Sequence, residues 1–270
     1  MPNIRRSFSE GYLYPAERSE MERTLTDLDV SLPGAERLGE LISILLPHGN
    51  LKNCGDLILQ GLKQVDLNRF KNLVIVGTNH KKTNQPISYC EGISFKFYDE
   101  IVEINQDLLE GIKSNPWLIK DNLIHEQEYS IDVFLPYLRH LTGENFSIIP
   151  IMVSKHTVEE SRNLASTFGM LKNEALPVIS SNLNQYEDRN TTITKDDEII
   201  KSFLSLDTAE FFKTAKEIGH TSCNLAGMGG MMEITRKLNG RIKIIARKTL
   251  CYNSNGIERC TGYITAVSSM

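Results

Sequence analysis

Nowhere in this chain of 270 residues does an apolar run approach the roughly 20 residues that a membrane-spanning helix needs, and residues 1–10 are too polar for the apolar core of a secretory leader. These absences predict a soluble, cytoplasmic protein. A basic block is missing as well. Thirty basic side chains stand against 34 acidic ones, a formal net charge of −4, so the chain has no electrostatic footprint for nucleic acid or an anionic membrane. Cysteine is sparse: Cys54, Cys90, Cys223, Cys251 and Cys260 are odd in number, widely spaced and without a CxxC pair. That pattern points away from a disulfide framework or zinc ribbon and toward reduced core thiols. Internal repeats, low-complexity tracts and dividing linkers are lacking too. With 40% hydrophobic residues, the expectation is one α/β domain over residues 1–270.

What the chain does have is a pair of short apolar runs that each end in a histidine. Residues 42–48 run Ile-Ser-Ile-Leu-Leu-Pro-His, and residues 73–80 run Leu-Val-Ile-Val-Gly-Thr-Asn-His. Both read as buried strands, because they are short, rich in Ile, Leu and Val, and closed by turn formers. A helix over 56–65 between them makes a βαβ unit, whose crossover is right-handed. The reading puts His48 and His80 at the carboxyl ends of neighbouring parallel strands about 4.8 Å apart, the edge where open α/β sheets bind ligands.

Elsewhere, Ser19 and Glu22 have capping-box spacing at the start of a helix over 20–28, and Thr157 and Glu160 repeat it for a helix to about residue 173. Residues 32–40 read as a linker and 81–92 as a polar, turn-rich segment. Short strands are expected at 93–97, 101–104, 147–153 and 177–180, with helices at 127–141, 197–204 and 208–218. A Gly-rich helix start follows at 223–230. Strands 242–252 and 261–268 flank Asn253-Ser254-Asn255-Gly256, a hairpin signal. The predicted architecture is a single mixed, mostly parallel sheet with helices on both faces.

Taken alone, each candidate residue has two readings. His48 and His80 either hydrogen-bond loop carbonyls or bind a metal, for which neutral imidazole is the commonest side-chain ligand. Cys223 is either a small buried hydrophobe or, at a helix N-terminus that lowers its pKa, a thiolate ligand. His125 either lines the same cleft or sits at the surface or a helix cap. Tyr129 supplies a phenol to the pocket or packs beside Val133. His140, His156 and His220 read as exposed residues at helix ends or in loops.

In order along the chain, these landmarks resemble the Memo family, the protein B component of the AmmeMemoRadiSam system. Gly11-Tyr12-Leu13-Tyr14-Pro15 is similar to its GSFYP, Leu46-Pro47-His48-Gly49 to its PHAG and Val76-Gly77-Thr78-Asn79-His80 to its GPNH. The segment from His125 to Ile131, followed by Leu135-Pro136-Tyr137-Leu138, is similar to HxxEHSxE and LPFL. Residues 180–186 resemble SSDLSHY, Cys223 matches the cysteine of CGxxP, and Gly262-Tyr263 the GYA. The resemblance implies a fold like that of class III extradiol dioxygenases and a metal held by His48, His80 and Cys223. Two imidazoles and a thiolate suit copper(I), iron(II) or zinc, with a fourth position open.

The chain departs from the family at Asn182, Gln185 and Tyr129, where the motifs have Asp, His and His. Amides cannot act as acids or bases, so Asn182 and Gln185 are expected to bind a ligand rather than move its protons. The resemblance thus implies a metal-dependent redox protein without ring-cleaving activity. The alternative is a non-enzymatic module that binds a small molecule or peptide, or serves a radical-SAM partner as scaffold or metal carrier.

Overall fold

Runs of Ile, Leu and Val build the centre of the molecule, since such side chains fit a pleated surface covered on both sides. The computed structural model describes residues 3–36, 38–67, 69–81, 85–143 and 146–270. Its elements begin with β1 (Asn3–Arg6), α1 (Arg18–Ser31), β2 (Leu41–Leu46), α2 (Leu51–Leu62) and β3 (Asn72–Thr78). Next come β4 (Ile87–Tyr89), β5 (Ile93–Phe97), β6 (Glu100–Val102), α3 (Gln106–Lys113), β7 (Ile119–Lys120) and α4 (Asn122–Glu126). A 3-10 turn over Asp132–Phe134 leads into α5 (Leu135–Thr142), β8 (Ser147–Val153), α6 (Val158–Met170), β9 (Leu176–Ser180) and β10 (Gln185–Glu187). The helices α7 (Arg189–Leu204), α8 (Thr208–Glu217) and α9 (Leu225–Lys237) precede a long hairpin of β11 (Arg241–Ser254) and β12 (Ile257–Ser269).

The expected α/β class holds. Strands β2, β9, β3 and β8 pair in parallel in that order, β4 joins β8 antiparallel, and β12 runs antiparallel to β2, β10 and β11. Two contacts show that both faces are covered. On one, Gly61 of α2 lies against Ile44, Leu46 and Thr265. On the other, the Thr235 hydroxyl of α9 meets that of Ser268, a β12 residue of opposite parity to Thr265.

Several expectations need correction. The sheet is not single: β1, β5 and β6 form a separate three-stranded sheet. The four residues of β1, Asn-Ile-Arg-Arg, carry no apolar alternation to announce a strand, yet they pair in parallel with β5 and draw it away from the main sheet. The histidine strands are not neighbours either, because β9 lies between β2 and β3. Helix 127–141 is broken. The Glu128 carboxylate accepts the main-chain N–H groups of Tyr129 and Ser130, so the chain leaves α4 and restarts at α5, where Pro136 sits in the first turn. The Thr157 cap is as expected, but Ser19 falls inside α1. His220 is buried rather than exposed, its Nε2 3.1 Å from Asp196.

Cys251 and Cys260 are joined by a disulfide, against the expectation of reduced thiols. Hairpin register is the cause: it sets the two residues directly opposite one another, with Cα atoms 4.0 Å apart. The turn itself is as expected, with Asn255 and Gly256 both at positive φ.

Candidate metal centre

Three chain reversals at the carboxyl edge of the main sheet deliver the three predicted ligands to one place. After β2, Pro47 ends the strand, and Gly49, at φ +152°, turns the chain into Asn50, the N-cap of α2. His48 stands at this elbow and is almost fully buried. Its Nδ1 lies 2.8 Å from the Ser180 hydroxyl at the end of β9. The Asn182 amide clasps its main chain, accepting from the His48 N–H at 3.1 Å and donating to its carbonyl at 2.8 Å.

His80 follows β3 and is held by the loop that replaces the expected long helix. The Ser130 hydroxyl accepts from the Thr78 N–H and donates to the Thr78 carbonyl, both at 3.1 Å. This latch requires Gly77, since a Cβ there would lie 2.5 Å from the Ser130 oxygen. The loop thereby presents Glu128, which accepts from the His80 main-chain N–H at 3.1 Å and from its ring Nδ1 at 2.9 Å.

Cys223 precedes α9, whose N-cap Asn224 accepts from the Gly227 N–H. The same amide donates to the carbonyls of Val76 on β3 and Ser180 on β9, tying the helix start to both strands. Thr78 donates from its hydroxyl to the Cys223 carbonyl at 2.6 Å. The ligand atoms of His48, His80 and Cys223 all lie within 4.8 Å of one another.

With both Nδ1 atoms engaged, the two Nε2 atoms are left to the sulfur. Cys223 Sγ is 3.6 Å from His48 Nε2, and the Asn182 N–H donates to it at 3.0 Å. Two tetrahedral ligands at about 2.1 and 2.3 Å from one ion stand about 3.6 Å apart, so this pair already has the spacing a metal imposes. Burial alone would raise the Cys223 thiol, but the charge and hydrogen bond of His48, followed by the hydrogen bond of His80, bring it down to about 5. Burial alone would lower His80; its hydrogen bonds with Cys223 and Glu128 raise it to about 10. The donor set is a thiolate flanked by imidazoles, which fits a thiophilic transition metal.

Tyr129 belongs to this site rather than to a helix face. Its ring stacks on His80 with centroids 4.9 Å apart and planes 9° from parallel, and meets His48 edge-on at 5.7 Å. Burial, then Glu128 and Cys223, raise its phenol above the usual tyrosine range. Gln185, half-buried at the start of β10, donates its main-chain N–H to Thr221 Oγ1 at 2.8 Å. His125 has neither of its expected surface roles. It is a core residue within α4, close to the Ser88 main chain but with no well-formed hydrogen bond to its ring from any of the described residues. Burial, then repulsion from Arg5, lower it to about 3.

That burial carries a pH dependence. His156 is lowered to about 4, again chiefly by burial. Unfolded, both imidazoles titrate near 6.5, so below that pH the unfolded chain binds protons the folded chain refuses. Stability is expected to fall as the pH drops below about 6.5, by about 1.4 kcal/mol per pH unit for each group, down to about 4 for His156 and about 3 for His125. Urea midpoints at pH 7 and pH 5 measure the effect, and the difference should be smaller in His125→Leu.

Glu128 and Ser180 were not among the sequence candidates, although both lie within quoted motifs. A carboxylate on the far nitrogen of a ligating imidazole fixes its tautomer and raises its basicity. Glu128→Gln is therefore expected to weaken metal affinity about 10- to 100-fold while leaving the fold intact, as read by metal titration and circular dichroism. Affinity within about twofold of the parent would show that the carboxylate does not orient His80.

The fold and site together define a class: an α/β protein with a two-histidine, one-cysteine centre at the carboxyl edge of its main sheet. The sequence matches the Memo-like proteins over residues 5–267, and the chain belongs to that family. It is 24% identical over 261 residues to a MEMO1 family protein of Thermoplasma acidophilum, covering 96% of both chains. With a MEMO1 family protein of Desulfurococcus amylolyticus it shares 30% identity over 232 residues, 82% of this chain and 81% of that one. The crystal structure of an uncharacterized protein from Escherichia coli K12 has a similar fold, with a TM-score of 0.51 at 14% identity over 84% of this chain and 99% of that one.

Proposed function

We propose that this protein is a metal-dependent redox protein, holding iron or copper through His48, His80 and Cys223, that does not cleave catechol rings. The observation that carries the reading is the convergence of one ring nitrogen from each of His48 and His80 with the depressed Cys223 thiol within 4.8 Å, each residue backed by its own hydrogen bonds. A metal held by three protein ligands would supply an open coordination position and, for iron or copper, one-electron chemistry. Zinc fits the same donors but is redox-inert.

The chain's own residues determine what happens to a bound ligand. A groove of about 500 Å³, lined by Tyr12, Tyr14, Leu51, Lys52 and neighbours, adjoins the His48 elbow through Asn50 and leaves room for a small molecule or peptide. Ring cleavage needs a base near neutrality to take a catechol proton, a contribution of about 10²- to 10⁴-fold. Asn182 spends its amide on the His48 main chain, Gln185 is not basic, the Tyr129 phenol is raised, and His125 is closed into the core. The binding-module alternative draws on Gln185, whose side-chain amide suits recognition and not proton transfer, since Asn182 is committed to the His48 main chain.

Elemental analysis of protein purified without added metal, joined to oxygen uptake on catechol and protocatechuate, tests the proposal. The expected result is bound iron or copper with little ring-opened product. Robust ring opening that vanished in His125→Ala would overturn it and make His125 the base. Protein that carries no metal and takes up none on titration would favour the binding module, or a scaffold for a radical-SAM partner.

A further inference from the structure

The hairpin of β11 and β12 holds a second group of metal-binding atoms, away from the three ligands already described. Cys251 and Cys260 face each other across the hairpin, and Glu258 lies two residues before Cys260 on the same strand. Side chains two apart in a strand share a face, so all three project from one side. The two sulfurs and a Glu258 carboxylate oxygen lie within 4.8 Å of one another. Glu258 is exposed and Cys251 half-buried, which leaves the group open to solvent, while Cys260 is buried beneath them. Glu258 Oε2 accepts the Arg189 main-chain N–H at 3.0 Å, which orients the carboxylate and leaves its other oxygen available.

We propose that reduction of the Cys251–Cys260 disulfide creates a cation site in which both sulfurs and the Glu258 carboxylate bind a thiophilic divalent ion such as zinc. The chemistry balances with a dithiol as reductant. The S–S bond takes two electrons and two protons and becomes two thiols, while the dithiol closes to its own disulfide. The ion then displaces the thiol protons to solvent and meets two thiolates. No large strand movement is required. Sulfurs each about 2.3 Å from one ion stand about 3.8 Å apart, within reach of side chains on directly opposed residues. Disulfide and cation exclude one another, so the ion blocks reoxidation. The site does not depend on His48, His80 or Cys223.

The test uses the full chain carrying Cys223→Ser, so that binding at the first centre is suppressed. Thiol titration in denaturant, before and after dithiol treatment, establishes the two redox states. Cobalt(II) is then titrated into each after removal of the reductant. The reduced protein is expected to gain a sulfur-to-cobalt charge-transfer band at about one ion per chain, which the oxidised protein lacks. Zinc should bleach that band and protect the two thiols from alkylation. Cys251→Ser should abolish it, and Glu258→Gln should weaken binding about tenfold or more. Because Cys260 is buried, Cys251→Ser is the primary variant and Cys260→Ser a second. No band in the reduced protein, a band that survives Cys251→Ser, or five free thiols in unreduced parent protein would overturn the proposal.

Discussion

Arg5→Ala is expected to destabilise the protein by about 3–5 kcal/mol, more than any exposed ion pair here would cost. The Arg5 guanidinium lies 2.8 Å from Asp132, and the two side chains are 4% and 0% exposed. It also donates to the main-chain carbonyls of His125 and Glu128. Asp132 accepts in addition from the Phe8 N–H at 2.7 Å and from the Ser9 hydroxyl. Removing the cation leaves a buried carboxylate without its counter-charge and two buried carbonyls without a donor. Burial already raises the Asp132 carboxyl against the pull of Arg5. The loss should therefore shrink as the pH falls and Asp132 takes up a proton. Urea denaturation at pH 7 and pH 5 measures both, and a loss below about 1 kcal/mol would remove the pair from the account of stability. Since Arg5 holds the loop that carries Glu128, the same variant should also weaken metal binding.

The largest expected functional effect follows from deleting a ligand. His48→Ala and Cys223→Ser are each predicted to reduce metal affinity by more than the roughly 100-fold upper cost of losing an outer-shell partner. The circular dichroism spectrum should be unchanged in both. Cys223→Ser tests more, because it keeps the size of the side chain and the Asn224 cap while removing the anionic donor. Unchanged affinity in Cys223→Ser, alongside complete loss in His48→Ala, would exclude the thiolate from the ligand set.

The three candidate ligands were legible because each follows or precedes a strong local signal. Two apolar runs close on His48 and His80, and a Gly-rich helix start follows Cys223. What the sequence hides is how the three are brought together. The insertion of β9 between β2 and β3 is a matter of long-range pairing, yet it supplies Ser180 to His48 and a carbonyl to Asn224. Glu128 reads as one acidic residue among 34 until its loop leaves the helical path and turns the carboxylate onto His80. The Cys251–Cys260 pair was missed for a related reason. An odd cysteine count says nothing about hairpin register, and it is register that sets these two sulfurs face to face.

The order of strands in the sheet differs from their order in the chain, and this bears on how the protein is made. The strand carrying His48 lies between β9 and β12, both of which leave the ribosome long after it. The Thr265 hydroxyl on β12 donates to the Leu57 carbonyl across 208 residues of chain. During synthesis β2 and α2 must therefore wait with two apolar edges uncovered, a state that exposes a nascent chain to mispairing and favours capture by a chaperone. His48 reaches its final setting only when β9 has come in beside it, so the candidate centre is completed late in the chain's own translation.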